Sequence, residues 1–236
     1  MNIAMAWHYE GNDPGEWSTP LSFANGFKQA GHDVDYFGFN PKVCDLSLLI
    51  SQANLYDLIF ICLAGPSDTF DSELIRLKNN TTTKIFMEFG DDIPSSNFFR
   101  IRKHYVDGIF TLDKRCHNQY LSEGLPSHWM PVFCDDRIFY KKDNPNRKNI
   151  CVTTCLNRPL LNEFKNIFQD RFIYQNVWQN DNTDFYNSGT FTYQYARYGE
   201  LTRRIMEAGG CGNAIITNRI DSKTGIYDLF PEDECI

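Results

Sequence analysis

Short apolar runs recur along the first half of the chain, and stretches with helical periodicity separate them. The run at residues 58–62, Leu-Ile-Phe-Ile-Cys, is apolar at every position, which is typical of a strand buried on both faces of a parallel sheet. Between the first two runs, Phe23, Phe27 and Ala30 recur at i, i+4 and i+7, the spacing of one helix face. This alternation predicts an α/β fold, with a doubly wound parallel sheet over residues 1 to about 135. The predicted strands there are residues 2–7, 34–37, 58–62, 84–89, 108–112 and 128–132.

The same pattern starts again after a polar, turn-rich segment at residues 141–148, which we interpret as a linker. The sequence therefore predicts two Rossmann-like domains, residues 1–140 and 149–236, with a ligand cleft between the carboxyl ends of their parallel sheets. In the second domain a helix at residues 200–208 precedes a strand at residues 213–217. Because no closing helix follows Phe230, we expect this domain to be C-terminally truncated.

Charge and absent motifs argue against several functions. The chain has 23 Lys and Arg against 30 Asp and Glu, a net charge of −7, which argues against nucleic acid as a partner. It contains no G-x-G-x-x-G, P-loop or G-x-S-x-G motif, which disfavours dinucleotide dehydrogenases, P-loop proteins and α/β-hydrolases. The eight cysteines form no C-x-x-C pair, so we expect reduced thiols and no bound metal.

Hydropathy bears on location. The longest apolar run, residues 58–64, is far shorter than the roughly 20 residues of a membrane-spanning helix. The N-terminus has neither the basic region nor the cleavage site of a signal peptide. We expect no transmembrane segment, and a location in the cytosol or peripheral to a membrane.

One segment near the C-terminus is more specific than the rest. Residues 199–217, Gly-Glu-Leu-Thr-Arg-Arg-Ile-Met-Glu-Ala-Gly-Gly-Cys-Gly-Asn-Ala-Ile-Ile-Thr, resemble the R-x-x-E-A-x-x-C-G signature and following apolar strand of GT-B glycosyltransferases. The family it most resembles is the spore-maturation-type glycosyltransferases. Three further segments resemble the same superfamily in the right order: residues 27–34 with Gly-His-Asp-Val, residues 125–139, and residues 221–230 ending in Leu-Phe.

The resemblance implies transfer of a sugar from a nucleotide-diphosphate sugar to a hydroxyl of a glycan, a lipid-linked acceptor or a small molecule. It implies no metal and no cofactor, because cationic side chains and helix N-termini stabilise the departing diphosphate. The residues expected to bind the donor nucleotide are Arg158, Arg204, Glu207, Gly209, Gly210 and Gly212. Many retaining relatives have a second glutamate eight positions before the first, where this chain has Gly199, so the stereochemistry stays open.

The first domain offers candidates on loops that leave the carboxyl ends of strands. We expect the loop at residues 8–17 to contact the acceptor or the sugar, through Glu10, Gly11 and Trp17. Asp91 follows another strand and is a candidate general base for an acceptor hydroxyl, with His8 as the alternative proton acceptor.

Other interpretations remain open at this point. A nucleotide-sugar epimerase of the same fold is one alternative, and a non-catalytic nucleotide-sugar-binding module is another. Glu200, Arg204 and Glu207 also have the i, i+4 and i, i+3 spacings of ion pairs on any solvated helix face.

Overall fold

The computed structural model describes residues 1–8, 18–39, 45–63, 68–89, 102–154, 161–177 and 181–231. The chain divides into two compact units, Met1–Pro131 and Val132–Ile236. The predicted domain limits, 1–140 and 149–236, and the truncation of the second domain stay predictions.

The first unit contains a parallel sheet with the strand order β2-β1-β3-β4-β5-β6. Its strands are β1 Asn2–His8, β2 Asp33–Phe39, β3 Leu58–Leu63, β4 Lys84–Phe89, β5 Gly108–Thr111 and β6 Ser127–Trp129. Its helices are α1 Thr19–Gln29, α2 Ser47–Gln52, α3 Asp68–Asn80 and α4 Lys114–Ser122. β1 lies between β2 and β3, so the sheet changes its direction of growth at β1.

Alternating side chains along these strands build two different faces. One face buries small and aliphatic side chains, such as Ala6, Ile61 and Met87, against helices α2, α3 and α4. The other face is aromatic, and the ring of Phe60 on β3 packs against Phe23 of α1 at a centroid distance of 5.0 Å. Because both faces of the sheet are buried, these strands do not alternate between apolar and polar residues in the sequence.

The second unit contains a parallel sheet with the order β10-β9-β7-β8. Its strands are β7 Lys148–Thr153, β8 Phe172–Tyr174, β9 Gly189–Gln194 and β10 Ala214–Thr217. Its helices are α5 Leu161–Phe168, α6 Asp181–Ser188, α7 Arg203–Gly210 and α8 Ile226–Leu229. Two parallel sheets with intervening helices confirm the predicted α/β class.

The predicted helix at residues 200–208 is wrong at its start, because α7 begins at Arg203. Glu200 lies in the preceding turn, where its carboxylate accepts hydrogen bonds from the backbone N–H groups of Arg197 and Tyr198. Thr202, the N-cap residue, has the extended dihedrals φ −91° and ψ 149°. Because the Glu200 carboxylate is hydrogen-bonded within this turn, the helix begins at Arg203, three residues later than predicted.

Candidate functional site

The strand order of the second unit fixes where a ligand can bind. β7 lies between β8 and β9, and open α/β sheets bind ligands at the carboxyl ends of the strands where growth reverses. Thr153 and Gln194 lie at these ends of β7 and β9, exposed by 0% and 1%. Thr153 Oγ1 donates to the carbonyl of Tyr193 at 2.7 Å, and Gln194 Nε2 lies 3.4 Å from the Tyr186 hydroxyl. The wall of this crevice is polar and hydrogen-bonded.

The loop from β9 to α7 is held in one conformation at the same edge. Asn218 bridges it by donating Nδ2 to the carbonyl of Ala196 at 2.9 Å and accepting from the Ala196 N–H at 2.7 Å. Gly199 adopts φ +66°, a region that favours glycine, and its carbonyl accepts from the Asp221 N–H at 2.9 Å. The start of α7 is therefore fixed relative to the end of β10.

Glu207 on the second turn of α7 is the most unusual charged group of this unit. Its exposed fraction is only 4%, although it is ionisable. Arg203, one turn earlier, places Nε 3.0 Å from Glu207 Oε1. Burial raises the pKa of Glu207, and the positive charges of Arg203 and Arg204 lower it by less. A carboxylate with a raised pKa beside cations is typical of a ligand site.

The interpretation of Glu207 as one of several charges on a solvated helix face is therefore wrong. The predicted pair between Glu200 and Arg204 is wrong as well, because Glu200 precedes the helix. Arg204 is exposed and lies beside Glu207. The arginine that forms the ion pair with the carboxylate is instead Arg203, which sequence reasoning missed. The i, i+4 spacing of Arg203 and Glu207 was the available signal.

The three glycines of the motif lie at the other end of α7 and in the turn after it, where β10 begins. A Cβ on Gly210 would lie 2.6 Å from the carbonyl oxygen of Phe139, and one on Gly212 2.9 Å from Cδ of Lys141. Arg147 donates to the carbonyls of Cys211 and Gly212 at 2.9 and 2.7 Å. These contacts supply a packing reason for two glycines. Nucleotide contact by Gly209, Gly210 and Gly212 stays a prediction.

Other predicted site residues are not described. Glu10, Gly11, Trp17, Asp91 and Arg158 lie outside the described residues, and so does the side chain of His8, the last residue of β1. Their predicted roles stay predictions.

The first unit has a row of three buried residues near the carboxyl ends of its central strands, of which Glu88 is the charged one. Trp7 pairs with Cys62, and Cys62 with Glu88, so the three residues follow one another across β1, β3 and β4. Their exposed fractions are 7%, 4% and 4%. Burial raises the pKa of the Cys62 thiol well above its ordinary value, and the charge of Glu88 adds to that effect.

Neither a metal-binding cluster nor a membrane-spanning helix is found in the described ranges. Within them, no group of three or more His, Cys, Asp or Glu side chains could hold a metal ion. No helix of that part of the chain is both long and apolar enough to cross a membrane. Five cysteines in it are free thiols: Cys62, Cys116, Cys134, Cys151 and Cys211.

No protein-family profile and no curated protein matches this sequence. Solved structures do match its fold. An alpha-glucosyltransferase of T4 phage, solved with UDP and a 13-mer DNA containing a HMU base, gives a TM-score of 0.63 at 13% identity, over 92% of this chain and 79% of that one. The DNA-modifying beta-glucosyltransferase, studied with and without uridine diphosphoglucose, gives 0.55 at 11% identity, over 94% of this chain and 81% of that one.

HepE of Anabaena in complex with UDP is a third similar structure, with a TM-score of 0.53 at 12% identity over 99% of this chain and 90% of that one. These neighbours are glycosyltransferases of the GT-B type. At such identities the likeness concerns the fold, and at that level it agrees with the GT-B resemblance of the sequence. Membership of the spore-maturation-type family stays a prediction.

Proposed function

We propose that this chain is a glycosyltransferase of two-domain GT-B architecture, which moves a hexosyl or related sugar from a nucleotide-diphosphate sugar to a hydroxyl acceptor. The observation that carries the proposal is the buried Glu207 beside Arg203, on the helix that follows β9 at the reversal point of the second sheet. Its carboxylate can accept hydrogen bonds from the two ribose hydroxyls of a nucleotide.

Departure of the nucleoside diphosphate builds negative charge, which needs positioned cations or N–H groups. Arg204 is exposed beside Glu207 in the first turn of α7, the end of a helix that favours negative charge. We assign Arg204, together with Arg158, to the diphosphate. With these groups the transfer proceeds without a metal ion.

UDP is our first candidate nucleotide, because the similar structures were solved with UDP or uridine diphosphoglucose. For the acceptor we propose a glycan, a lipid-linked saccharide or a small molecule. The net charge of −7 argues against nucleic acid, but two of the similar enzymes have DNA in their descriptions. Net charge alone therefore does not exclude DNA, and it belongs among the acceptors tested.

The test is a product assay with a panel of nucleotide sugars and one acceptor from each class, including DNA. A transferase releases nucleoside diphosphate and forms a glycosylated product. An epimerase converts the sugar without releasing nucleoside diphosphate, and a binding module leaves the donor intact. Either of the last two results would contradict the proposal.

A further inference from the structure

Arg203 and Glu207 form a mostly buried ion pair on one side of α7. Their side chains are one helical turn apart, and Arg203 Nε lies 3.0 Å from Glu207 Oε1. Only 21% of the Arg203 side chain is exposed, whereas the next residue, Arg204, is an exposed residue. The two successive arginines therefore have different surroundings, and Arg203 is the one that contacts the carboxylate.

Arg203 is also the positive charge that acts most strongly on Glu207. Burial raises the pKa of Glu207, and the charge of Arg203 lowers it by more than the charge of Arg204 does. Cys134, before β7, and Cys211, after the helix, lie close enough to interact with the Glu207 charge. Burial raises the pKa of these thiols to about 11 and about 12, so both are neutral at about pH 7. The ionisation of Glu207 therefore depends on the arginines.

A glutamate that binds hydroxyls has two requirements that this ion pair meets. Its carboxylate has to stay ionised, because a protonated carboxyl group loses acceptor capacity. Its side chain has to be held in one rotamer, because rotamer freedom that is lost on binding weakens the affinity. A cation in contact with Oε1 favours the ionised form and restricts the side chain, while Oε2 is left for a ligand.

We propose that Arg203 is a positioning residue of the donor site, which holds the Glu207 carboxylate in place for the ribose hydroxyls of the nucleotide. The inference rests on the proposed function. In this assignment Arg203 acts through Glu207 and does not itself contact the nucleotide. Arg203 and Arg204 then have separate roles, since Arg204 is assigned to the diphosphate. Loss of Arg203 should therefore weaken the binding of nucleoside and nucleotide alike.

The experiment measures the Kd of UDP and of uridine by calorimetry between about pH 5 and pH 9, together with the unfolding temperature. The variants are Arg203→Met, Arg203→Lys, Glu207→Gln and the double variant Arg203→Met/Glu207→Gln. Arg171→Met is the matched control, because Arg171 is exposed and precedes β8 at the amino end of the second sheet, opposite the crevice.

We expect Arg203→Met to bind UDP and uridine about 10-fold more weakly at about pH 7, because hydrogen bonds to a charged group are weakened. Affinity should decrease in wild type as the pH falls through the raised pKa of Glu207. In Arg203→Met this decrease should begin at a higher pH, because loss of the nearby positive charge raises that pKa further. Arg203→Lys keeps the charge and should retain most of the affinity.

The double variant tests whether Arg203 acts through Glu207. In the Glu207→Gln background, Arg203→Met should not change the affinity further, because the group on which the arginine acts is already neutral. It also removes both charges of the pair together, so that no buried carboxylate is left without its cation.

Three results would overturn the assignment. Weaker binding of UDP with unchanged binding of uridine would place Arg203 on the diphosphate. A further loss of affinity when Arg203→Met is added to Glu207→Gln would show that the arginine acts independently of the glutamate. A lowered unfolding temperature of Arg203→Met with unchanged affinities and pH profile would make the ion pair structural only. A wild type that binds no nucleotide at any pH would instead contradict the proposed function, and this inference would fail with it.

Discussion

At the scale of single residues, the ionisation of Glu207 affects the stability of the second unit. The side chain of Glu207 is more buried than that of its partner Arg203. Their exposed fractions are 6% and 21%. Burial raises the pKa of Glu207 by more than the two arginines lower it. The ionised form is therefore held at a cost to stability, which a bound nucleotide would offset.

Glu207→Gln should reveal that cost through its pH dependence. The folded-state pKa lies above the ordinary 4.5, so the carboxyl stabilises the fold below 4.5 and loses that contribution as the pH rises through the raised pKa. We expect variant and wild type to unfold at similar temperatures near pH 4, and the variant to unfold at a higher temperature at about pH 7. Thermal unfolding across this range measures the difference, with the exposed Glu163→Gln as control. A variant less stable at about pH 7 would contradict the account.

Arg204→Met separates recognition of the diphosphate from recognition of the nucleoside. Arg204 is exposed, so the variant should fold normally. We expect its affinity for UDP to fall about 10-fold, since a charge-assisted bond to phosphate is lost, while its affinity for uridine stays the same. Titration calorimetry measures both, and Arg219→Met, at another exposed arginine, is the control. Equal loss for UDP and uridine would remove Arg204 from the diphosphate site.

At the scale of elements, helix α7 is fastened by residues that precede β7. Cys134 Sγ donates to the carbonyl of Met206 at 3.3 Å, and Phe139 lies against Gly210. Arg147 binds the carbonyls of the turn after the helix. The helix with Glu207 is therefore anchored at its C-terminal end, away from the crevice.

The two adjacent glycines of α7 make a matched test of this packing. A Cβ on Gly210 would lie 2.6 Å from a backbone oxygen, whereas one on Gly209 would have no atom within 4 Å in the described part of the chain. We expect Gly210→Ala to destabilise the protein by about 1–3 kcal/mol. Gly209→Ala should stabilise it by about 0.5–1 kcal/mol, because alanine favours a helix. Chemical denaturation measures both, and equal effects would refute the packing argument.

The sequence alone predicts those elements that are buried through apolar side chains. Strands β3 and β4 are predicted within one residue, because a strand buried on both faces needs uninterrupted apolar side chains. Arg204 and Glu207 were singled out through the motif resemblance, and their roles in nucleotide binding stay predictions.

Helix α6 and strand β9 could not be predicted in this way. β9 reads Gly-Thr-Phe-Thr-Tyr-Gln, yet it lies between β7 and β10 in the sheet. Its polar side chains are buried through tertiary hydrogen bonds, such as that from Asn213 Nδ2 to Thr192 Oγ1 at 2.6 Å. Partners 21 residues apart leave no local pattern.

At the scale of the whole molecule, the two sheets repeat one arrangement. In each unit the first strand lies between the second and the third, so each unit has its own crevice at the carboxyl ends of the first and third strands. The second unit has a buried carboxylate, Glu207, beside two arginines, and the first has a buried carboxylate, Glu88, on β4. On this ground we assign the proposed donor nucleotide to the second unit.

We propose that the second unit binds a donor nucleotide through Glu207. The most direct test is calorimetric titration of UDP, GDP, TDP, ADP and CDP into the wild type and Glu207→Ala. We predict that one nucleotide, UDP first, binds the wild type and binds the variant about 10- to 100-fold more weakly, as expected for loss of hydrogen bonds to a charged group. At about 100 times Kd it should add about 2.7 kcal/mol of stability to the wild type. A folded wild type that binds none of the five, or a variant that binds as tightly, would contradict the account.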